Sequence, residues 1–101
     1  MSRESEFQTR LIHRLESMFP NAIIYKTSPY APQGFPDITI CHDSGLWAYL
    51  ECKADRNAKR QPNQEWYVGK LNLCGFDSFI YPDNEEEVLN GLKDYCYWGC
   101  Q

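Results

Sequence analysis

Between Gly34 and Lys53 the sequence reads GFPDITICHDSGLWAYLECK, which sets Asp37, Glu51 and Lys53 into an otherwise apolar stretch. Two β-rich runs, Asp37 to Cys41 and Leu46 to Cys52, flank the polar Asp43-Ser44-Gly45. Gly45 suits the left-handed residue that closes a three-residue hairpin loop. With Ser44 at the centre of the turn, Asp37 falls opposite Glu51, Ile38 opposite Leu50 and Thr39 opposite Tyr49. Alternation then sends Asp37, Glu51 and Lys53 to one face, and Ile38, Ile40, Leu50 and Cys52 to the other. Directly opposed residues have Cβ atoms about 5 Å apart, close enough for two ionised carboxylates to repel. A divalent cation relieves that repulsion, and two carboxylates completed by waters and phosphate oxygens are a usual setting for Mg²⁺, with Mn²⁺ as substitute. Lys53 is placed to neutralise charge, orient a water or stabilise charge developing on a phosphate. Taken singly, the three residues read as a solvated strand edge with an acid at its start.

Two polar intrusions elsewhere bear on that choice. At 100° per residue, Glu4 falls within the apolar arc of Phe7, Leu11 and Leu15, whereas Glu6 lies on the opposite, polar side. An acid on a core-facing stripe needs a partner. Gln64 repeats the pattern, sharing a helical face with Tyr67, Val68 and Leu71. Each alone is explained by a frayed first turn reaching water; together, beside a paired-carboxylate hairpin, they point to a site.

The elements that must position these residues follow from periodicity and breakers. Ser2 to Phe19 carries Phe7, Leu11, Leu15 and Met18 at helical spacing, and Pro20-Asn21 ends it. Ala22 to Thr27 reads as a strand, followed by a loop broken by Pro29, Pro32 and Gly34. After the hairpin, a basic loop leads to Pro62 in the first turn of a second helix, which stops at Gly75. Asp77 to Tyr81 is a fourth strand, and Asp83 with Glu86 forms a capping box for a last helix through about Tyr95. The order αβββαβα predicts an α/β fold with a mixed four-stranded sheet flanked by helices.

The chain has 101 residues, 43% hydrophobic and 15% aromatic, enough for one core and one domain over 1–101. A net charge of -4 argues against coating nucleic acid by bulk electrostatics but allows a local basic patch. Four of the ten basic residues, Lys53, Arg56, Lys59 and Arg60, lie within eight positions, while Asp83, Glu85, Glu86, Glu87 and Asp94 make the last segment acidic. Cys41, Cys52, Cys74, Cys96 and Cys100 form no close-spaced framework, and no N-terminal apolar run reads as a secretion signal. Both features point to a reducing cell interior, cytoplasmic or that of a host in which a viral protein acts. No stretch approaches the roughly 20 apolar residues of a membrane span. Zinc is disfavoured because Cys96 and Cys100 have no second pair nearby and His13 and His42 lie far off.

Pro36-Asp37, a gap of thirteen residues, then Glu51-Cys52-Lys53 resembles the signature of the PD-(D/E)xK nuclease superfamily. Its surroundings narrow the likeness: Glu4 on the first helix, Lys26-Thr27-Ser28-Pro29, Gly34-Phe35-Pro36-Asp37, Gln64 opening a helix and Gly75 closing it. Together these resemble the VRR-NUC (virus-type replication-repair nuclease) family from about Glu4 to about Leu92. The resemblance implies a restriction-endonuclease-like core. It makes Asp37 and Glu51 metal ligands, with the backbone carbonyl of Cys52 as a third, and Lys53 the catalytic lysine. Glu4 becomes the helix acid that reaches the metal through water or completes a second site, with Glu6 as fallback. Gln64 becomes the glutamine that supports the centre. The chain departs from the family pattern at Cys52, where an aliphatic residue is usual, and at Ala31-Pro32-Gln33, which lacks the arginines some relatives carry.

The function implied is Mg²⁺-dependent endonuclease hydrolysis of DNA phosphodiesters. Lys26, Arg56, Lys59 and Arg60 are the candidate nucleic-acid contacts. A chain of this size leaves no room for a separate base-reading domain, so selection by substrate shape is expected. Small stand-alone members of the family resemble Holliday junction resolvases that cut as homodimers, a pairing in which Tyr95, Tyr97 and Trp98 would find a use. The alternatives are a flap or nicking nuclease of the same fold, and a catalytically silent nuclease fold used as a binding module. Buried ionisable groups cost stability, which counts against the silent module.

Overall fold

The computed structural model describes residues 2–98, with Cys100 and the side chain of Trp98 outside the described residues. Helix α1 (Arg3–Met18) starts at Ser2, whose hydroxyl accepts a hydrogen bond from the Ser5 amide. Strands β1 (Ile23–Lys26), β2 (Ile38–Cys41) and β3 (Trp47–Cys52) follow, then α2 (Gln64–Cys74), β4 (Phe76–Ile80) and α3 (Glu85–Trp98). The order is αβββαβα, as the sequence predicts. One mixed sheet runs β1-β2-β3-β4, antiparallel across the first two pairings and parallel between β3 and β4, with α2 as the crossover.

The hairpin register is Ile38 opposite Leu50, Thr39 opposite Tyr49 and Ile40 opposite Ala48. Its turn closes through Gly45 N–H to the His42 carbonyl, with Gly45 at φ +91°. Alternation then builds the core. Ile38, Ile40, Ala48, Leu50, Cys52 and Ile80 face Phe7, Leu11 and Leu15 of α1 and Val88, Leu89 and Leu92 of α3 in one buried cluster. Helix α2 covers the opposite face of β3 and β4 and contributes a single fully buried residue, the polar Gln64.

Two local expectations are corrected. Pro62 does not sit in the first turn of α2. Asn63 adopts the left-handed conformation (φ +72°) and Gln64 N–H turns back to the Gln61 carbonyl, so the helical path starts only at Gln64. Nor do Asp83 and Glu86 form a capping box. Asp83 pairs with Arg56 and Glu86 with Arg14, while the Asn84 carbonyl accepts the Val88 amide and its side chain bonds the Tyr81 amide and the Phe79 carbonyl. Longer-range charge pairing outcompetes the local cap.

The loop from β1 to β2 is pinned against the start of α2. Gly34 has φ +89°, and a Cβ there would lie 2.7 Å from the Pro62 carbonyl oxygen and 2.8 Å from Asn63 Cβ. Thr27 holds the far end of the loop: its amide donates to the Asp37 carbonyl at 2.8 Å and its hydroxyl to the Pro36 carbonyl. Gly34→Ala is therefore expected to lower unfolding free energy by about 2 to 4 kcal/mol, combining left-handed strain with overpacking. Urea denaturation checks this, and an unchanged midpoint would contradict it.

Candidate functional site

Asp37 stands one residue before β2 and Glu51 lies inside β3, so the hairpin register carries them to facing positions at the open end of the sheet. Each carboxyl group is tethered by one oxygen. Asp37 Oδ2 accepts the Cys52 amide at 2.8 Å, and Glu51 Oε1 accepts the Gln64 side-chain amide at 2.7 Å. Gln64 is fixed in turn, its carbonyl oxygen accepting the Gln61 amide at 2.7 Å. Glu51, 2% exposed, keeps its second oxygen buried with no donor among the described residues. Lys53, 5% exposed, donates from Nζ to the Lys59 carbonyl at 3.0 Å.

These groups line a cleft of about 430 Å³ together with Arg3 and Glu4 from the start of α1 and Lys59 and Gln61 from the loop before α2. Glu4 is half-buried on the cleft wall and Glu6 is exposed to solvent, so helical phase selects Glu4. Electrostatics follow the geometry. Burial pushes the Glu51 carboxyl up to about 9, with the nearby Asp37 adding to the rise and Lys53 opposing it. Burial also raises Asp37, against the Cys52 amide and the charges of Lys53 and Lys26, and it raises Glu4. The acidic pair therefore keeps a proton near neutral pH unless something cationic replaces it.

Among the described residues the donor set fits a hard divalent cation: two convergent carboxylates, a Glu51 oxygen that meets no donor, and no competing soft ligand. The Cys52 side chain points into the core, where burial raises its thiol far above the ordinary range, so only the Cys52 backbone borders the acids. No three His, Cys, Asp or Glu side chains gather tightly enough to hold a metal among the described residues. A cation here would rest on Asp37 and Glu51, with carbonyl, water or substrate oxygens completing it.

The basic residues divide. Arg56 is tied to Asp83 at 2.8 Å, and Arg60 to Glu65 at 2.8 Å with its guanidinium 3.9 Å from the Phe79 ring centre. Lys59 forms no ion pair among the described residues and lines the acidic cleft. Lys26 acts on Asp37 by charge from the end of β1. Sequence reasoning assigned no role to Arg3, Thr27 or Gln61. Arg3 reaches the cleft while pairing with Asp55 at 3.1 Å, and its position beside Glu4 in the first helical turn was the available signal. Asp77, buried on β4 with its amide donating to Asn72 Oδ1 at 3.2 Å and neither carboxyl oxygen bonded among the described residues, is pushed up to about 8 by burial. It shares the face of Phe79 by simple alternation. Tyr97 lies against Phe19 and His42, and Tyr95 against Phe76, so both rings have partners within the chain.

A pH dependence follows for the metal-free protein. Unfolded, Glu51 releases its proton near 4.5; folded, it holds it to about 9. Between those values the folded state binds more protons, so stability falls as pH rises and levels off above the upper value. Asp77 acts in the same sense between 3.8 and about 8. In chelator, the melting temperature is expected to drop from pH 5.5 to 8.5, and Glu51→Gln to flatten that slope while keeping the Gln64 bond. A wild-type profile that rises over this window would contradict the assignment.

No family model matches the sequence, and no curated protein matches it. Among solved structures, one described as a VRR_NUC domain matches with a TM-score of 0.69 at 22% identity, over 94% of this chain and 99% of that one. The α/β architecture, a mixed four-stranded sheet flanked by three helices, is consistent with the VRR_NUC fold.

Proposed function

We propose that this chain is a metal-dependent endonuclease that hydrolyses DNA phosphodiesters at the Asp37–Glu51–Lys53 cleft. The observation that carries this reading is the pair of facing carboxyl groups, each anchored through one oxygen, with the second Glu51 oxygen buried and without a donor among the described residues and a buried lysine beside them. A purely structural acid pair has no reason to stay buried, donor-poor and bordered by a cleft.

Asp37, Glu51 and the Cys52 carbonyl would hold Mg²⁺ or Mn²⁺, with Glu4 reaching it through water. A bound divalent ion supplies Lewis-acid polarisation of the scissile phosphate and a lower pKa for attacking water. The chain's own contributions are positional. Lys53 spends one N–H on the Lys59 carbonyl and has two left for a water or a phosphate oxygen. Gln64 fixes the rotation of the Glu51 carboxyl, and Gln61 fixes Gln64. Lys59 and Arg3 place positive charge at the mouth, where a phosphate backbone would enter.

The charged contacts available at the cleft mouth are of the kind that reach phosphates rather than base edges, which favours recognition of branched DNA by shape, as in a Holliday junction resolvase. Cutting both strands of a junction takes two copies of a single site, so the working assembly in this reading is a homodimer inside a cell. Among the described residues no helix is long and apolar enough to cross a membrane.

The test offers labelled four-way junctions, flaps and blunt duplex side by side, in Mg²⁺ and in chelator. Branched substrates are expected to be cut only with metal. Asp37→Ala, Glu51→Ala and Lys53→Ala are each expected to lose at least about a hundredfold in rate, with circular dichroism unchanged. Full activity in all three variants would refute the site, and equal cutting of all substrates would refute shape selection.

A further inference from the structure

We infer that a second cleft beside the acidic one is a subsite for an unpaired nucleotide of the DNA substrate, with the base stacked on Trp66. This rests on the nuclease reading and deepens it by naming the substrate class: DNA with a single-stranded nucleotide next to the cut.

The cleft has a volume of about 660 Å³ and is walled by Lys59, Arg60, Asn63, Glu65 and Trp66. It shares Lys59 and Gln61 with the cleft that holds Asp37 and Glu51, so the two are joined along one ridge of the loop before α2. A strand whose phosphate sits at the carboxylates passes over that ridge to its next nucleotide. Trp66 and Gln64 lie two residues apart on α2, so the amide that orients Glu51 and the indole of the neighbouring cleft belong to one rigid turn.

Trp66 is 62% exposed, a large apolar ring left in water. It is nevertheless braced: its ring meets Tyr67 edge-on at 5.0 Å, Tyr67 meets Phe35 at 5.4 Å, and Phe35 meets Tyr49 of β3 at 6.2 Å. This chain of rings ties the indole back to the sheet and presents it at little conformational cost, as a stacking platform requires. Charge on the cleft suits a nucleotide. Glu65 is neutralised by Arg60, whose guanidinium is itself held over Phe79, leaving Lys59, which forms no ion pair among the described residues, as the net charge facing a phosphate. Asn63, which lines the cleft with its side-chain amide 3.5 Å from the Gln33 carbonyl, holds the left-handed conformation, a backbone state that concentrates at binding sites. Within a duplex both faces of a base are covered by its neighbours, so only an unpaired nucleotide exposes a face to Trp66.

The test is fluorescence anisotropy in chelator, where no cleavage occurs, with a short labelled single strand, a flap and a blunt duplex. Proteins are wild type, Trp66→Ala, Trp66→Phe and, as a control on the same helix, Leu73→Ala, which removes an exposed side chain outside the cleft. Trp66→Ala is expected to weaken single-strand and flap binding by about 5- to 150-fold and blunt-duplex binding by less than about twofold. Trp66→Phe should retain most of the affinity, and Leu73→Ala all of it. The inference is overturned if Trp66→Ala binds the single strand as tightly as wild type, or if it loses equally on blunt duplex. It is also overturned if sedimentation shows that the variant's defect is loss of a dimer. Failure of the parent reading looks different. A wild type that never cuts with Mg²⁺ but loses single-strand affinity on Trp66→Ala removes the nuclease and leaves the subsite. Normal binding by Trp66→Ala with normal metal-dependent cutting does the reverse.

Discussion

Two carboxyl groups forced to face each other at the end of a β-hairpin are the constraint on which the rest of this molecule turns. The register that buries Ile38, Ile40 and Leu50 on one side leaves no freedom to separate Asp37 from Glu51 on the other, because a one-residue slip would invert both faces together. The core therefore enforces an electrostatic conflict that the protein alone resolves only by keeping a proton. Surrounding elements are arranged around that conflict rather than against it. Thr27 fixes the Pro36-Asp37 backbone, the Cys52 amide and Gln64 each satisfy one oxygen, and Lys53 adds a buried positive charge. The second Glu51 oxygen stays buried without a donor among the described residues, on a residue that lines the cleft.

This arrangement explains why α2 is held as it is. Tyr67, Val68 and Leu71 are half-buried, Trp66 and Leu73 are exposed, and its one buried side chain is the amide bonded to Glu51. The helix is thus a support for the acidic pair as much as a cover for the sheet. The turn that feeds it, through Gln61, Pro62 and the left-handed Asn63, bends the chain so that Gln64 meets Glu51 while Trp66 faces the adjoining cleft. Site and neighbouring surface are consequences of one local path.

Much of this was legible in the sequence, for physical reasons that differ by residue. The facing of Asp37 and Glu51 follows from strand alternation and a single turn glycine, both local rules with little competition. Glu4 rather than Glu6 follows from helical phase, and Gln64 from a polar residue on an apolar face. The late start of α2 was hidden because Asn63 takes a conformation that nothing in its neighbours' types requires. The fate of Arg56 was hidden because its partner Asp83, 27 residues away, is set by tertiary approach, whereas Arg60 pairs locally with Glu65 across the turn into α2. The expected capping box yielded to the same cause, since Asp83 and Glu86 found arginines from other elements. Asp77 was readable by alternation as an inward residue, but that its carboxyl oxygens meet no donor among the described residues depends on packing that no sequence pattern carries.

If the facing acids are built to exchange their proton for a cation, the exchange itself is measurable. Calorimetric titration of Mn²⁺ at pH 7.5, repeated in buffers of different ionisation enthalpy, counts the protons released on binding. With Glu51 held near 9, release of about one proton per chain is expected, vanishing in Glu51→Gln. Binding with no proton release, or binding indifferent to the loss of the Glu51 carboxylate, would contradict the account.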